Sequence, residues 1–242
     1  MNQIPQDNQG PVDVVIMAAG KGTRMKSRLP KVLHRLAGRA LLAHVTGTAA
    51  RIGARHVVVV TGHGAAEVEA AMSSGNGVGT ALQFARQEPQ LGTGHAVQQA
   101  VPLLPEDGTV LVLSGDVPLI GEETLRALIA ASAGQRLALL TIEFDDPTGY
   151  GRIVRAESRE GEVTAIVEHK DATEAQREIR EIYSGMMAVP AGLLKGWLAR
   201  LDNRNAQGEY YLTDIVKLAA ADGVPVVAHV TTDALQVAGI NS

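Results

Sequence analysis

Short, wholly apolar runs alternate with helical stretches along the first half of this chain, and that alternation limits the fold more than any other feature. Residues 12–19 read VDVVIMAA, 56–61 HVVVVT and 109–114 TVLVLS. Such runs carry no polar face, so they suit strands buried on both sides of a parallel sheet. Helical patterns fall between them at 38–53, 65–72, 93–104 and 122–133, with a further strand at 79–86. A βαβα order of this kind predicts a mostly parallel α/β sheet with helices on both faces. From Leu137 the texture changes, and the runs 137–144, 151–155, 163–168 and 182–189 follow one another with little helix between them. They predict a meander, read as a second lobe or an extension of the sheet, followed by helices at 193–201 and 212–221 and a last strand at 224–230. The polar first eleven residues are expected to form a loose tail ahead of one domain spanning 12–242.

The first apolar run ends in Ala18-Ala19-Gly20-Lys21-Gly22-Thr23-Arg24-Met25, with Leu29-Pro30-Lys31 just beyond. Two glycines there let the backbone turn and bring its N–H groups close to an anion, while Lys21, Arg24 and Lys31 add positive charge. Residues 14–66 hold nine lysines and arginines and no acid, although the chain as a whole has 26 acids against 22 bases. A local cationic field on an acidic protein suits a small polyanion better than a nucleic acid. Aromatics at 3% also argue against base-stacking platforms for nucleic acid. The glycine spacing is not a dinucleotide fingerprint, because its sixth position is Met25 and residues 14–66 lack an acid for a ribose. Nor is it a Walker A loop, since Gly, Lys and Thr stand at the wrong offsets.

Asp116 follows the strand TVLVLS and Gly115, and Pro118 blocks its continuation. Its carboxylate is therefore expected at the carboxyl edge of a central strand, where ligands of open α/β sheets gather. A hard oxygen ligand beside a phosphate loop suits Mg²⁺, and a plain turn aspartate is the alternative. Leu91-Gly92-Thr93-Gly94-His95 opens a helix with Thr93 as its expected N-cap and the glycines admitting a ligand. His63, His95 and His169 are isolated and receive no chemistry. There is no cysteine, which excludes disulfides and thiolate metal sites and fits a cytosolic enzyme. No secretory signal stands at the start, and no run approaches the roughly 18 apolar residues of a membrane helix.

Taken in order, AAGKGTRM with LPKVLH, LGTGHA, GDVPLI, DDPTGYGRI, VEHKDAT and QGEYYLTD closely resemble the uridylyltransferase half of the bifunctional bacterial GlmU enzymes, over about Val14 to Asn241. The first motif is shared with sugar-nucleotide pyrophosphorylases in general, and the last two are particular to GlmU. The resemblance implies a Rossmann-like nucleotide-diphosphosugar transferase fold, with a smaller β-rich sugar-binding lobe. It also implies a cytoplasmic reaction in cell-wall precursor synthesis: UTP and N-acetylglucosamine 1-phosphate give UDP-N-acetylglucosamine and pyrophosphate. Carried over by position, Met17, Ala18, Ala19 and Gly20 line the nucleotide, Arg24 holds the departing pyrophosphate and Lys31 meets the phosphates. Gln87, Gly92 and Thr93 read the uracil, with Ser114 and Gly115 as substrate contacts beside Asp116. Asp116 and Asn241 hold Mg²⁺, Asn241 also meeting substrate, and Gly151, Glu168 and Thr213 meet the sugar. Full-length relatives are trimers held by a C-terminal β-helix acetyltransferase domain; that domain is absent from this sequence, which is expected to be a shortened or single-function chain, monomeric, with neither nucleic-acid nor membrane partners. Where the family commonly has Asn before Ser/Thr-Gly, this chain has Tyr183, which leaves the sugar open. A pyrophosphorylase for another sugar 1-phosphate, a cytidylyltransferase or a nonenzymatic nucleotide-sugar sensor are the alternatives.

Overall fold

The computed structural model describes residues 10–22, 25, 27–73, 81–156 and 161–240. The first apolar run forms β1 (Val12–Ala18), which lies at the centre of one large sheet. On one side it pairs in parallel with β4 (His56–Thr61), which in turn pairs in parallel with β5 (Leu82–Arg86). On the other side β1 pairs in parallel with β6 (Thr109–Ser114), with Met17 opposite Ser114. Beyond β6 comes β10 (Glu181–Pro190), antiparallel to both its neighbours, then β7 (Leu137–Glu143) and β11 (Val226–Val230), which run parallel to each other. The order is thus β11-β7-β10-β6-β1-β4-β5. One strand in seven runs against the rest, so the sheet is mostly parallel, as expected.

Alternate residues of β1 supply two cores, as a strand buried on both faces requires. Val14 and Ile16 pack with Leu42 and Val45 of α1 (Leu41–Arg51), Val68 of α2 (Ala65–Ser73) and Leu125 of α4 (Glu122–Ser132). Val15 packs on the opposite face with Val97 of α3 (Thr93–Ala100), Trp197 of α6 (Ala191–Leu198) and Ile215 of α7 (Ile215–Ala221). Helices therefore cover both faces. At the amino end of β1 the fully buried Asp13 accepts from Arg55 Nη2 at 2.7 Å and Arg55 Nε at 3.1 Å, and lies 2.8 Å from His56 Nδ1. This carboxylate ties β1 to the start of β4.

Several boundaries move from expectation for identifiable reasons. The helix expected from residue 38 starts at Leu41, because Ala37 and Gly38, with φ of +48° and +81°, close a tight hairpin between β2 (Arg35–Leu36) and β3 (Arg39–Ala40). The helix expected over 93–104 ends as α-helix at Ala100 and tightens to a 3₁₀ turn at Val101–Leu103, since Pro102 cannot continue the ladder. The helix expected over 212–221 likewise divides into a 3₁₀ turn, Leu212–Asp214, and α7. Of the meander after Leu137, β7, β10 and β11 extend the main sheet. Only β8 (Arg152–Arg155) and β9 (Val163–Val167) form a separate small hairpin, joined to β10 by the register pair Ile182↔Arg152 and followed by α5 (Glu174–Arg177). A last short helix, α8 (Ala234–Val237), docks on α4 through Gln236, whose Oε1 accepts from Thr124 Oγ1 at 2.7 Å and from the Gly121 N–H at 3.0 Å.

Candidate active site

Because β1 and β6 run in parallel and in register, the loops leaving their carboxyl ends emerge side by side. Gly115 secures this edge: its N–H donates to the Met17 carbonyl at 2.9 Å, and a side chain there would stand 3.1 Å from that oxygen. Gly115 thus packs beneath the site. Lys31 reaches the same edge on a 3₁₀ turn, Lys31–Leu33, and its ammonium donates to the Asp116 carboxylate. Gly22 permits this approach. It has φ +58°, and a Cβ there would come within 2.7 Å of Lys31 Cβ. The side chains of Lys31 and Asp116 are 13% and 26% exposed, so they face each other at the wall of a cleft.

That cleft has a volume of about 420 Å³. Met17 and Ala18 at the end of β1, with Ala19 and Gly20 just beyond it, line it together with Lys31, Ser114 and Asp116. Gln87, Gly92 and Thr93 close it opposite. A side chain built on Gly20 would meet nothing within 4 Å, so the backbone there faces open space. Gln90 and Glu209 also line the cleft, and sequence reasoning assigned neither of them. Glu209 is the harder of the two to foresee, since it comes from a loop 117 residues beyond Gly92 in the chain and looks like an ordinary surface acid.

The 92–95 turn departs from expectation. Gly92, not Thr93, is the N-cap of α3, and it makes no side-chain cap bond. Thr93 Oγ1 instead accepts from the Leu212 N–H at 3.0 Å. The Gly94 N–H donates to the Tyr210 carbonyl at 2.8 Å, and side chains on Gly92 or Gly94 would stand 2.6 and 3.0 Å from that oxygen. The two glycines therefore admit the backbone of Tyr210 in the first place. Gln87, only 3% exposed, is held against this turn by Nε2, which donates to the Gly92 carbonyl at 2.8 Å.

Gly151, Glu168 and Thr213 form a second group beside the cleft. Thr213 Oγ1 donates to Glu168 Oε1 at 2.9 Å, and a Cβ on Gly151 would lie 3.6 Å from both carboxylate oxygens. Burial pushes the Glu168 carboxyl above its ordinary range, against the lowering effect of the Thr213 bond. Segment 209–213 joins the two groups: Glu209 lines the cleft, Leu212 meets Thr93 and Thr213 meets Glu168. Tyr183 donates its backbone N–H to the Gly151 carbonyl at 2.9 Å. Its hydroxyl is buried with no hydrogen-bond partner among the described residues, and burial, then the Glu168 charge, push the phenol well above its usual range.

Arg24 and Asn241 lie outside the described residues, as do residues 1–9 of the expected tail and 157–160, read as a lengthened hairpin. Ile240, next to Asn241, donates its N–H to the Asp116 carbonyl at 3.0 Å. Among the described residues no three His, Cys, Asp or Glu side chains come together as a metal site, and no helix is long and apolar enough to cross a membrane.

A MobA-like NTP transferase domain model matches residues 14–183. The chain is 72% identical over 233 residues to "Bifunctional protein GlmU" of Albidiferax ferrireducens, a match covering 96% of this chain and 50% of the relative. The protein of the same name from Bordetella petrii is 57% identical over 234 residues, again with 96% and 50% covered. The chain thus spans about half the length of these curated relatives. Among solved structures, a UDP-glucose pyrophosphorylase complexed with UDP-glucose superposes with a TM-score of 0.74 at 17% identity, covering 90% of each chain. A putative glucose-1-phosphate thymidylyltransferase from Bacillus anthracis gives 0.72 at 16%, covering 91% of this chain and 87% of that one. These two likenesses establish the shared fold.

Proposed function

This chain belongs to the MobA-like NTP transferase family, and from that premise we propose that it is a uridylyltransferase that joins UTP to N-acetylglucosamine 1-phosphate. A phosphate oxygen of the sugar phosphate attacks the α-phosphorus of UTP, the bond to the bridging oxygen breaks, and pyrophosphate leaves with that electron pair. The attacking phosphate is already anionic at neutral pH, so no general base is required. The protein's task reduces to aligning two polyanions and neutralising the charge that develops.

The observation that carries this reading is the meeting of Lys31 and Asp116 at the carboxyl end of β1 and β6, in one cleft with the 17–20 backbone. Lys31 is placed to neutralise phosphate oxygens as they gain charge. Backbone groups of 17–20 line the nucleotide, while Gln87, Gly92 and Thr93 are assigned to the uracil. Gly151, Glu168 and Thr213 receive the sugar, with the Glu168 carboxylate accepting from its hydroxyls. Arg24 and Asn241 are assigned to the pyrophosphate and to the metal.

A single carboxylate at a strand edge suits a hard cation that draws most of its ligands from water and phosphate, and Asp116 is such a group. Asp116 would hold Mg²⁺, which when bound supplies positive charge to the phosphates of the leaving group. The reaction is assigned to the cytoplasm, in supply of a cell-wall precursor.

The test is Mg²⁺-dependent pyrophosphate release from UTP with N-acetylglucosamine 1-phosphate, beside glucose, galactose and glucosamine 1-phosphates. Preference for the N-acetylated sugar is the expected result. The unpartnered Tyr183 hydroxyl next to Glu168 favours a second reading, in which the same chemistry serves another sugar. Release with one of the other three sugars would select it, and no release with any would remove both.

A further inference from the structure

Arg152 is among the largest fully buried side chains, at 1% exposure, yet no carboxylate among the described residues forms an ion pair with it. Asp146, on the turn that carries Tyr150, supplies opposite charge through space without a direct ion pair; a guanidinium buried in this way is costly to desolvate, and an apolar side chain of similar volume is often tolerated as well or better. Its donors go elsewhere. Nη1 donates to the Tyr150 carbonyl, while Nη2 lies 3.4 Å from the Arg177 carbonyl and 3.4 Å from His169 Nδ1; the Nε–H is buried without an acceptor among the described residues. Those three partners belong to three different connections. Tyr150 immediately precedes Gly151, His169 immediately follows Glu168, and Arg177 ends α5.

Backbone pairing alone holds the small lobe weakly, because β8 meets the main sheet through the single register pair Ile182↔Arg152, beside the bond from the Tyr183 N–H to the Gly151 carbonyl. Side chains add the rest: Ile153, Val163 and Ile166 pack into the core, and Arg155 Nη2 donates to Glu181 Oε1 at 2.8 Å. We propose that Arg152 is a positioning residue for the sugar-phosphate side of the site: without touching substrate, its guanidinium clamps the 145–151 turn, the 168–171 turn and the end of α5 together, and so sets Gly151 and Glu168. The inference rests on the assignment of those two residues to the sugar given under Proposed function. A flat fork of five N–H groups reaches spread-out acceptors at once, which the compact ammonium of lysine matches only in part and an apolar side chain not at all.

The experiment uses the whole chain as wild type, Arg152→Met and Arg152→Lys, with hydrogen exchange of the unliganded proteins and steady-state kinetics. In Arg152→Met, exchange is expected to quicken over 145–151 and 168–180 while β1, β4 and β6 stay protected. The KM for N-acetylglucosamine 1-phosphate should rise on the order of tenfold, with the KM for UTP and kcat within about twofold of wild type. Arg152→Lys should recover part of that loss. An unchanged exchange pattern, or an unchanged KM for the sugar phosphate, overturns the proposal. So does a parallel rise of both KM values with a general loss of protection, which marks a merely structural residue. If the wild type releases no pyrophosphate with any sugar 1-phosphate, the reaction reading fails by itself, and Arg152 is then judged on exchange alone, where an unchanged pattern in Arg152→Met sinks the clamp.

Discussion

Lys31 and Asp116 neutralise each other at the wall of the cleft, so on the proposed reading each arriving ion takes over one half of an existing pair. Lys31→Ala is expected to lower turnover on the order of 100-fold, as for loss of an electrostatic contact to the transition state, while circular dichroism shows an intact fold. Near-normal turnover in that variant would take Lys31 out of the reaction. Asp116→Asn should move the Mg²⁺ dependence to much higher concentration, and an unmoved titration curve would count against its assignment. Glu168 makes a different kind of prediction. Its carboxyl is raised by burial, so between the ordinary carboxyl value and the raised one the folded state binds more protons than the unfolded chain. Stability therefore falls as pH climbs through that window. Glu168→Gln escapes this loss and should melt higher relative to wild type at pH 7, with the gap narrowing toward about pH 4; equal gaps at both pH values would show that the group is not titrating abnormally. That Lys31 and Asp116 stand at the carboxyl edge of the sheet was legible in the sequence, because both closely follow an apolar strand that ends in glycine. Glu209 and Arg152 were not, because only the fold decides whether an isolated charge is in solvent, in a cleft or buried.

At the scale of elements, the turn ahead of α3 is built to receive another backbone. Gly92 has φ +108°, and its missing side chain makes room for Tyr210. Gly92→Ala should cost about 1–3 kcal/mol, from a backbone conformation that L residues resist, and should weaken UTP binding with it. Urea denaturation and calorimetric titration measure the two effects, and an unchanged midpoint would mean that segment 209–213 moves aside without loss. The glycines of LGTG were recognised as marking a close approach. The identity of the approaching group was hidden, because Tyr210 is more than a hundred residues away in sequence. Thr93 shows the same limit: a threonine opening a helix matches a cap by composition, and its hydroxyl was claimed instead by Leu212 from another part of the chain.

At the scale of the whole molecule, the sheet is bolted at its amino edge by a buried carboxylate and worked at its carboxyl edge by the cleft. Asp13 is fully buried and held by Arg55 and His56, and Arg55 also donates to Asp107 at 3.1 Å. The Asp13 hydrogen bond, then that of Asp107, raise the Arg55 guanidinium above its ordinary value. Asp13→Ala removes one acceptor from Arg55, which is partly exposed and keeps Asp107, and the partner of His56; it is expected to cost about 1–3 kcal/mol. Turnover per folded molecule should stay at the wild-type level, since the change sits at the opposite end of β1; a fall in kcat of the folded fraction would contradict this. The parallel frame was legible from runs such as VVIMAA and HVVVVT, whose lack of a polar face admits little else. The reversed direction of β10 was not, because EIYSGMMAVP reads as an apolar strand whichever way it lies. Its place between β6 and β7 bears on how the chain is made. β6 is complete at Ser114, but the strand that covers its outer edge begins only at Glu181. While the intervening residues are synthesised, TVLVLS presents unpaired N–H and C=O groups on an apolar ribbon, the kind of edge on which nascent chains aggregate. A polypeptide that ends before Glu181 therefore carries an open apolar strand edge, which only the emergence of β10 closes.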